Sequence, residues 1–333
     1  MSEATAPQPP APRRRSRWRI ALISLAGLLV VAVAAGAFYA YRIDRNVVQN
    51  INRADTLPSE DPSGSPRPTK EPTETGTLNY VLLGSDSRET DPGEGRSDSI
   101  MVVHLNKARD KAYIISFPRD MWVEIPGRGQ NKINAAYALG GPQLTVRTLE
   151  NLTGVRMDHV VLVDFQGFID LTTDLGGVTV TNKTAFSSHG FDYPKGKITI
   201  SGEKALWFVR ERKALPGGDL DRAENQRNVI KAIVQKGLSA EVISDPARFT
   251  AFVGNLATHL TVDQQLTDSE IRQTALSLRL GGSDIVLLQA PLAGFDTIAG
   301  QSVDVVDQAK MRELSRALKN DDLAGYVKKY PKG

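Results

Sequence analysis

Apolar residues in this chain fall into short β-branched runs that alternate with stretches of helical periodicity. Asn79-Tyr80-Val81-Leu82-Leu83-Gly84, Ile100 to Leu105, Ala112 to Phe117 and His159 to Asp164 read as strands, with Pro118 closing the third. Val178 to Val180, Lys197 to Ile200, Ile285 to Leu288 and Val303 to Val306 read as further short strands. Helices are predicted over Lys132 to Leu139, over Gln143 to Leu152 after Gly-Gly-Pro, and after Asp164 as far as Leu175, where Gly176-Gly177 ends the pattern. Glu203 to Val209, Asp221 to Lys236, segments after Pro246 and a final stretch from about Ala309 complete the helical set. Strands and helices alternate as they do in layered α/β folds, with no repeat and no proline-rich break after residue 77, so 77–333 is expected to be one α/β domain.

The first 76 residues have a different pattern. Ile20 to Tyr41 holds no formal charge and is bounded by Arg19 and Arg42. As a helix it spans about 33 Å, enough for a hydrocarbon core of roughly 30 Å. Ala35-Gly36-Ala37 is also compatible with a cleaved signal, but the run is longer than a signal peptide needs, which favours a retained anchor. The expected layout is a basic cytoplasmic tail at 1–19, a transmembrane helix at 20–41, a Pro-rich extracytoplasmic linker at 42–76 acting as a spacer, and the folded domain beyond it. This places the protein in the cell membrane as a single-pass chain with its C-terminal domain outside.

Charge supports that division. The 333 residues carry 41 basic and 38 acidic side chains, a net +3. Arg13, Arg14, Arg15, Arg17 and Arg19 against Glu3 account for more than this excess, so the folded part has no polycationic surface for nucleic acid. The absence of cysteine excludes disulfides, thiolate metal sites and thiol catalysis.

Polar clusters follow or precede the predicted strands, where open α/β sheets place ligands. They are Gly84-Ser85-Asp86-Ser87-Arg88, Arg96-Ser97-Asp98-Ser99, Pro118-Arg119-Asp120, Asn131-Lys132-Ile133-Asn134, Arg210-Glu211-Arg212 and Asp219…Arg222…Gln226. Guanidinium forks bind phosphate oxygens bidentately, and two carboxylates with a diphosphate can complete a magnesium shell. Arg222 and Gln226 share a helix face at i, i+4, whereas Arg210 and Arg212 share one only if their segment is extended. An Asp after a strand also serves as an ordinary turn or helix cap, and Arg-Glu-Arg as a solvated charged face. The residues alone therefore lead to an extracytoplasmic α/β domain with a candidate phosphate site.

In order, NYVLLGSDSR (79–88), RSDSIMVVHLN (96–106), ISFPRDMWVEIPG (115–127), NKINAAYALGGP (131–142), VVLVDFQGFIDLTTDLGGVTV (160–180), ALWFVRERK (205–213) and GDLDRAENQ (218–226) resemble the LytR-CpsA-Psr family of bacterial cell-wall phosphotransferases. The resemblance implies an α/β/α sandwich with a central mixed sheet and an apolar tunnel for a polyprenyl-phosphate lipid. It implies transfer of a polyprenyl-diphosphate-linked anionic glycopolymer to peptidoglycan at a muramic acid 6-hydroxyl, with polyprenyl phosphate released at the cytoplasmic membrane. Carried over by position, Asp86 and Asp98 are the expected ligands of Mg2+, with Mn2+ as the alternative cation. Arg96, Arg119, Lys132, Arg210, Arg212, Arg222 and Gln226 are the expected binders of the phosphates. Asp98, Arg119 and Arg96 are expected to act in catalysis, an aspartate accepting the hydroxyl proton. The same resemblance leaves a polyprenyl-diphosphate phosphatase and a non-enzymatic lipid-binding regulator as alternatives, and no further C-terminal domain is expected.

Overall fold

Alternation along β2 (Leu78–Ser85) sends Val81 and Leu83 to one face of a sheet and Leu82 to the other. In the computed structural model, β2 pairs antiparallel with β3 (Ser97–Leu105) and parallel with β7 (His159–Asp164). Beyond β3 come β4 (Ala112–Ser116), antiparallel, and β13 (Ile285–Gln289), parallel to β4. Beyond β7 come β12 (Thr261–Asp263), antiparallel, and β1 (Asn52–Ala54), parallel to β12. The outcome is a seven-stranded mixed sheet, the expected central layer. The structure describes residues 51–60, 66–85, 97–237, 239–243 and 245–331, which belong to one compact unit.

One face of the sheet is covered by α1 (Ala135–Thr153), α7 (Gln308–Lys319) and α8 (Leu323–Lys329), whose Val146, Leu149, Leu314 and Leu323 close on Val81 and Leu83. Over the other face lie α2 (Phe165–Asp174), α3 (Gly202–Arg210), α4 (Asp219–Gly237) and α5 (Pro246–His259). Two hairpins pack among these helices: β8 (Val178–Asn182) with β11 (Gly196–Ile200), and β9 (Phe186–Ser188) with β10 (Phe191–Tyr193). Helix α6 (Asp268–Ser277) precedes β13 in the chain.

A second sheet joins the strand predicted at Val303 to Val306 to three strands that were not predicted. Strands β5 (Met121–Ile125) and β6 (Gly129–Lys132) form a hairpin, and β14 (Leu292–Ile298) and β15 (Gln301–Val306) extend it in the order β14-β15-β5-β6. This corrects the helix expected from Lys132. That residue closes β6 by pairing with Trp122, and the helix begins at Ala135. The two helices predicted on either side of Gly140-Gly141 meet there at a kink, where Gly141 takes a φ of 63° and Pro142 starts the second segment. The expected final helix is divided between α7 and α8, with Asp322 capping the second through the Gly325 amide.

The described parts of the expected spacer, 51–60 and 66–76, are packed on the domain rather than extended away from it. Asn52–Ala54 forms β1, and Thr56 and Leu57 are buried. Arg67 sits inside the protein, where its Nη2 donates to Glu150 Oε1 at 2.7 Å and to the Met157 carbonyl at 2.6 Å. Composition underestimated this stretch because its anchors are long-range polar contacts rather than apolar area. Arg67→Ala, which strands the Glu150 charge, is expected to lower stability by about 3–5 kcal/mol in denaturant unfolding. An unchanged midpoint would refute the anchoring role.

Among the described residues no helix is long and apolar enough to cross a membrane. The run at 20–41 assigned to the transmembrane helix lies outside the described residues, as do the tail at 1–19 and the first part of the linker.

Candidate functional site

The face of the sheet toward α4 does not close completely. Leu82, Val161 and Met101 are in register on adjacent strands and form one row of wall. Gly84, Val163 and Ser99 form the next row, where a Cβ on Gly84 would meet the Ser99 Cβ at 3.1 Å. Phe168 and Leu171 of α2, Leu206 and Val209 of α3, and Ile230, Ile233 and Val234 of α4 complete an apolar cavity of about 250 Å3. Its dry, hydrocarbon lining suits an acyl or isoprenoid chain.

Polar groups enter this lining at one end. Arg210 and Gln226 both border the cavity. The Arg210 guanidinium lies 4.3 Å from the Phe165 ring centroid, and Gln226 Nε2 donates to the Val209 carbonyl at 3.2 Å. Helix α3 ends at Arg210, and Glu211 takes an extended backbone, so the Arg-Glu-Arg segment is not helical throughout. One turn before Gln226 on α4, Arg222 pairs with Asp219 at 2.5 Å.

Asp219 draws the cations together. Arg119 Nε approaches it at 3.7 Å and approaches Asp120 at 3.8 Å, while Lys132 Nζ pairs with Asp120 at 3.0 Å. Arg212 is close enough to act on the Asp219 charge. Arg119, Lys132, Arg210, Arg212, Arg222 and Gln226, which lie on separate segments, therefore converge beside the mouth of the apolar cavity. Four of these cations, Arg119, Lys132, Arg212 and Arg222, act on Asp120, Asp219 and Asp304, with Arg210 at the cavity edge, which leaves the group net positive while carboxylates hold like charges close together, an arrangement preorganised for an anion.

Asp304 is the member that sequence reasoning missed. It lies on β15 in register with Met121, and its amide donates to the Asp120 carbonyl at 2.9 Å. Burial, reinforced by Asp120 and Asp219 and opposed by Lys132, pushes its carboxyl up to about 6. Burial also pushes the Asp219 carboxyl up, with Arg222 pulling against it. Asp304 belongs to no motif; the only local signal is an acid at a core-facing position of an apolar strand. Since its ordinary value is 3.8 and its folded value about 6, the fold favours the protonated form. Its contribution is therefore intact below about pH 4 and lost as pH rises through 6, a cost of about 3 kcal/mol at neutral pH. Asp304→Asn is expected to raise the melting temperature at pH 7.5 and leave it unchanged at pH 4. A fall at pH 7.5 would contradict this.

Asp86 and Arg96 lie outside the described residues. Asp98 is on β3, where the register shifts: Gly84 pairs with Ser99 and Ser85 with Ser97, which makes Asp98 the extra residue of a bulge. Among the described residues no group of three or more His, Cys, Asp or Glu side chains is arranged to hold a metal.

A polyisoprenyl-teichoic acid–peptidoglycan teichoic acid transferase, TagU, from Bacillus mycoides strain KBAB4 is 34% identical over 245 residues, covering 73% of this chain and 80% of that protein. The crystal structure of B. subtilis TagV matches with a TM-score of 0.64 at 25% identity, covering 74% of this chain and 97% of that one. The structure of TagT bound to LIIa-WTA matches with a TM-score of 0.61 at 29% identity, covering 80% and 98%. The LytR_cpsA_psr family profile spans residues 44–320, a range that takes in the central sheet, the apolar cavity and the converging cations, and the chain belongs to that family.

Proposed function

We propose that this protein is a phosphotransferase that moves a polyprenyl-diphosphate-linked glycopolymer of the teichoic acid type onto peptidoglycan. The observation that carries this reading is the junction of an apolar cavity with a cluster of arginines, the two halves of a lipid phosphate. The isoprenoid lies along Leu82, Val161, Met101 and α4, and its diphosphate meets Arg119, Arg210, Arg212, Arg222, Lys132 and Gln226. A peptidoglycan hydroxyl oxygen forms a new bond to the glycan-side phosphorus as the bond from that phosphorus to the bridging oxygen breaks. The electron pair leaves on polyprenyl phosphate, and the hydroxyl proton passes to a carboxylate of the site. Arginines fixed in place by Asp219 and Asp120 stabilise the charge that grows on the departing phosphate, the largest expected contribution in this class of transfer. Arg96 is assigned to the same anion on its place in the sequence motif.

Asp86 and Asp98 are proposed to hold Mg2+, or Mn2+ in its place. Two carboxylates are hard oxygen donors of the type such an ion takes, and the bulge at Asp98 interrupts the ladder at the end of β2 from which Asp86 follows. When bound, the ion supplies further neutralisation of phosphate charge.

The run at 20–41, with its upstream arginines, supports a single membrane span, an outward-facing domain and a donor drawn from the same membrane. The test is product analysis with a lipid-linked donor and peptidoglycan. A glycan covalently joined to peptidoglycan is expected. Free glycan phosphate with no joined product would show a phosphatase, and intact donor a binding protein.

A further inference from the structure

The acceptor side of the reaction has no assigned place in the site, and the order of features along α4 indicates one. Ile233, Ile230 and Gln226 border the lipid cavity, Arg222 and Asp219 belong to the cation cluster, and Leu220 faces a separate groove of about 550 Å3. From Gln226 to Leu220 the helix rises only about 9 Å. The groove therefore lies beside the cation cluster, Leu220 standing between Asp219 and Arg222 in the first turn of the helix. A second element makes the same connection. Phe295 on β14 is the register partner of Asp304, so the two side chains lie on one face of the sheet, Asp304 within the carboxylate cluster and Phe295 in the groove.

The lining of this groove indicates its occupant. Phe295 is 68% exposed on an edge strand, and Tyr330 and the buried Tyr326 also line the groove. Lys310 Nζ and Lys329 Nζ lie 5.8 and 5.2 Å from the Tyr330 ring centroid, and each is already compensated, Lys310 by Asp307 at 3.0 Å and Lys329 by Glu313 at 2.6 Å. A polyphosphate chain would require uncompensated cations here. The exposed Phe295 ring beside balanced charge instead suits the apolar face of a pyranose ring, with paired polar groups left to meet hydroxyl and amide substituents.

We infer that the groove bounded by Leu220, Phe295, Tyr326 and Tyr330 holds the peptidoglycan glycan strand as acceptor and presents its hydroxyl to the phosphate bound at the cation cluster. This inference rests on the transfer reading above and extends it.

The test compares full-length protein in detergent with its Phe295→Ala variant, an edge-strand substitution at an exposed ring, using Leu139→Ala as the control for loss of an exposed apolar side chain elsewhere. With lipid-linked donor saturating, Phe295→Ala is expected to raise the half-saturating peptidoglycan concentration about tenfold, with donor half-saturation unchanged and Leu139→Ala like wild type. An unaltered acceptor curve overturns the assignment. So does a shift in the donor curve alone, which would give the groove to the donor's polymer, or a loss of self-association, which would give it to a second copy. Co-sedimentation with insoluble peptidoglycan stripped of teichoic acid separates this inference from the transfer reading, because it requires no turnover. Retention of wild type and release of Phe295→Ala support the groove even if no product forms, and equal retention of both refutes it.

Discussion

Arg119→Ala is expected to reduce transfer by about 10²- to 10³-fold while the protein remains folded. Arg119 approaches both Asp219 and Asp120 within 4 Å, between the Lys132 and Arg222 ion pairs. An anion gripped there would be neutralised from several sides, and the charge that develops on the leaving phosphate would be met by a guanidinium already in place. Stability should change little, because Asp219 keeps Arg222 at 2.5 Å when Arg119 is removed. Arg119→Lys provides the sharper comparison: it preserves the charge but loses the planar fork, so an intermediate rate is expected. Steady-state transfer rates, with circular dichroism spectra to establish folding, measure both variants. A wild-type rate in Arg119→Ala would remove the residue from the reaction.

Val161→Trp is expected to eliminate lipid retention and lower transfer at least about 100-fold by filling the cavity from its sheet side. Val161 stands between Leu82 and Val262 in the ladder, and its row forms the wall opposite Ile230. Large residues forced into a full core cost about 1–3 kcal/mol, whereas an indole that enters existing space should cost less, so the melting temperature should not fall far. Val161→Ala enlarges the same space; it should lose some stability and keep the lipid. Should the Trp variant retain lipid and full activity, the cavity is not the lipid's path.

Most of the central sheet was legible because its strands carry dense apolar runs, and β2, β3, β4, β7 and β13 formed where such runs occur, whereas the three-residue strands β1 and β12 carry none and were not predicted. The second sheet was harder to read. Strand β5 does alternate, with Met121, Val123 and Ile125 inward around Trp122 and Glu124, but it is short and follows a proline. In β14, Gly294, Asp296 and Thr297 leave little apolar signal, and its order comes from pairing with β15. The packing of residues 66–76 was hidden for a related reason: Arg67 finds Glu150 across 83 positions of sequence, a contact that local composition cannot express.

The site divides along similar lines. Arg119, Lys132, Arg210, Arg212, Arg222 and Gln226 were readable as family motifs, and the fold brings these distant segments together around Asp219 and the cavity mouth. Asp304 reaches the cluster only because β15 pairs in parallel with β5, and no motif marks that pairing. The groove at Phe295 is a tertiary feature as well, built from the edge of one sheet, two terminal helices and the first turn of α4.

The most direct test is mass spectrometry of lipid extracted from full-length protein purified in mild detergent from its native membrane. A polyprenyl phosphate or diphosphate at near-stoichiometric amount is the expected result, with its loss from Val161→Trp. Bulk phospholipid alone, or equal polyprenyl lipid in the blocked variant, would contradict an apolar cavity and arginine cluster that together hold an isoprenoid phosphate.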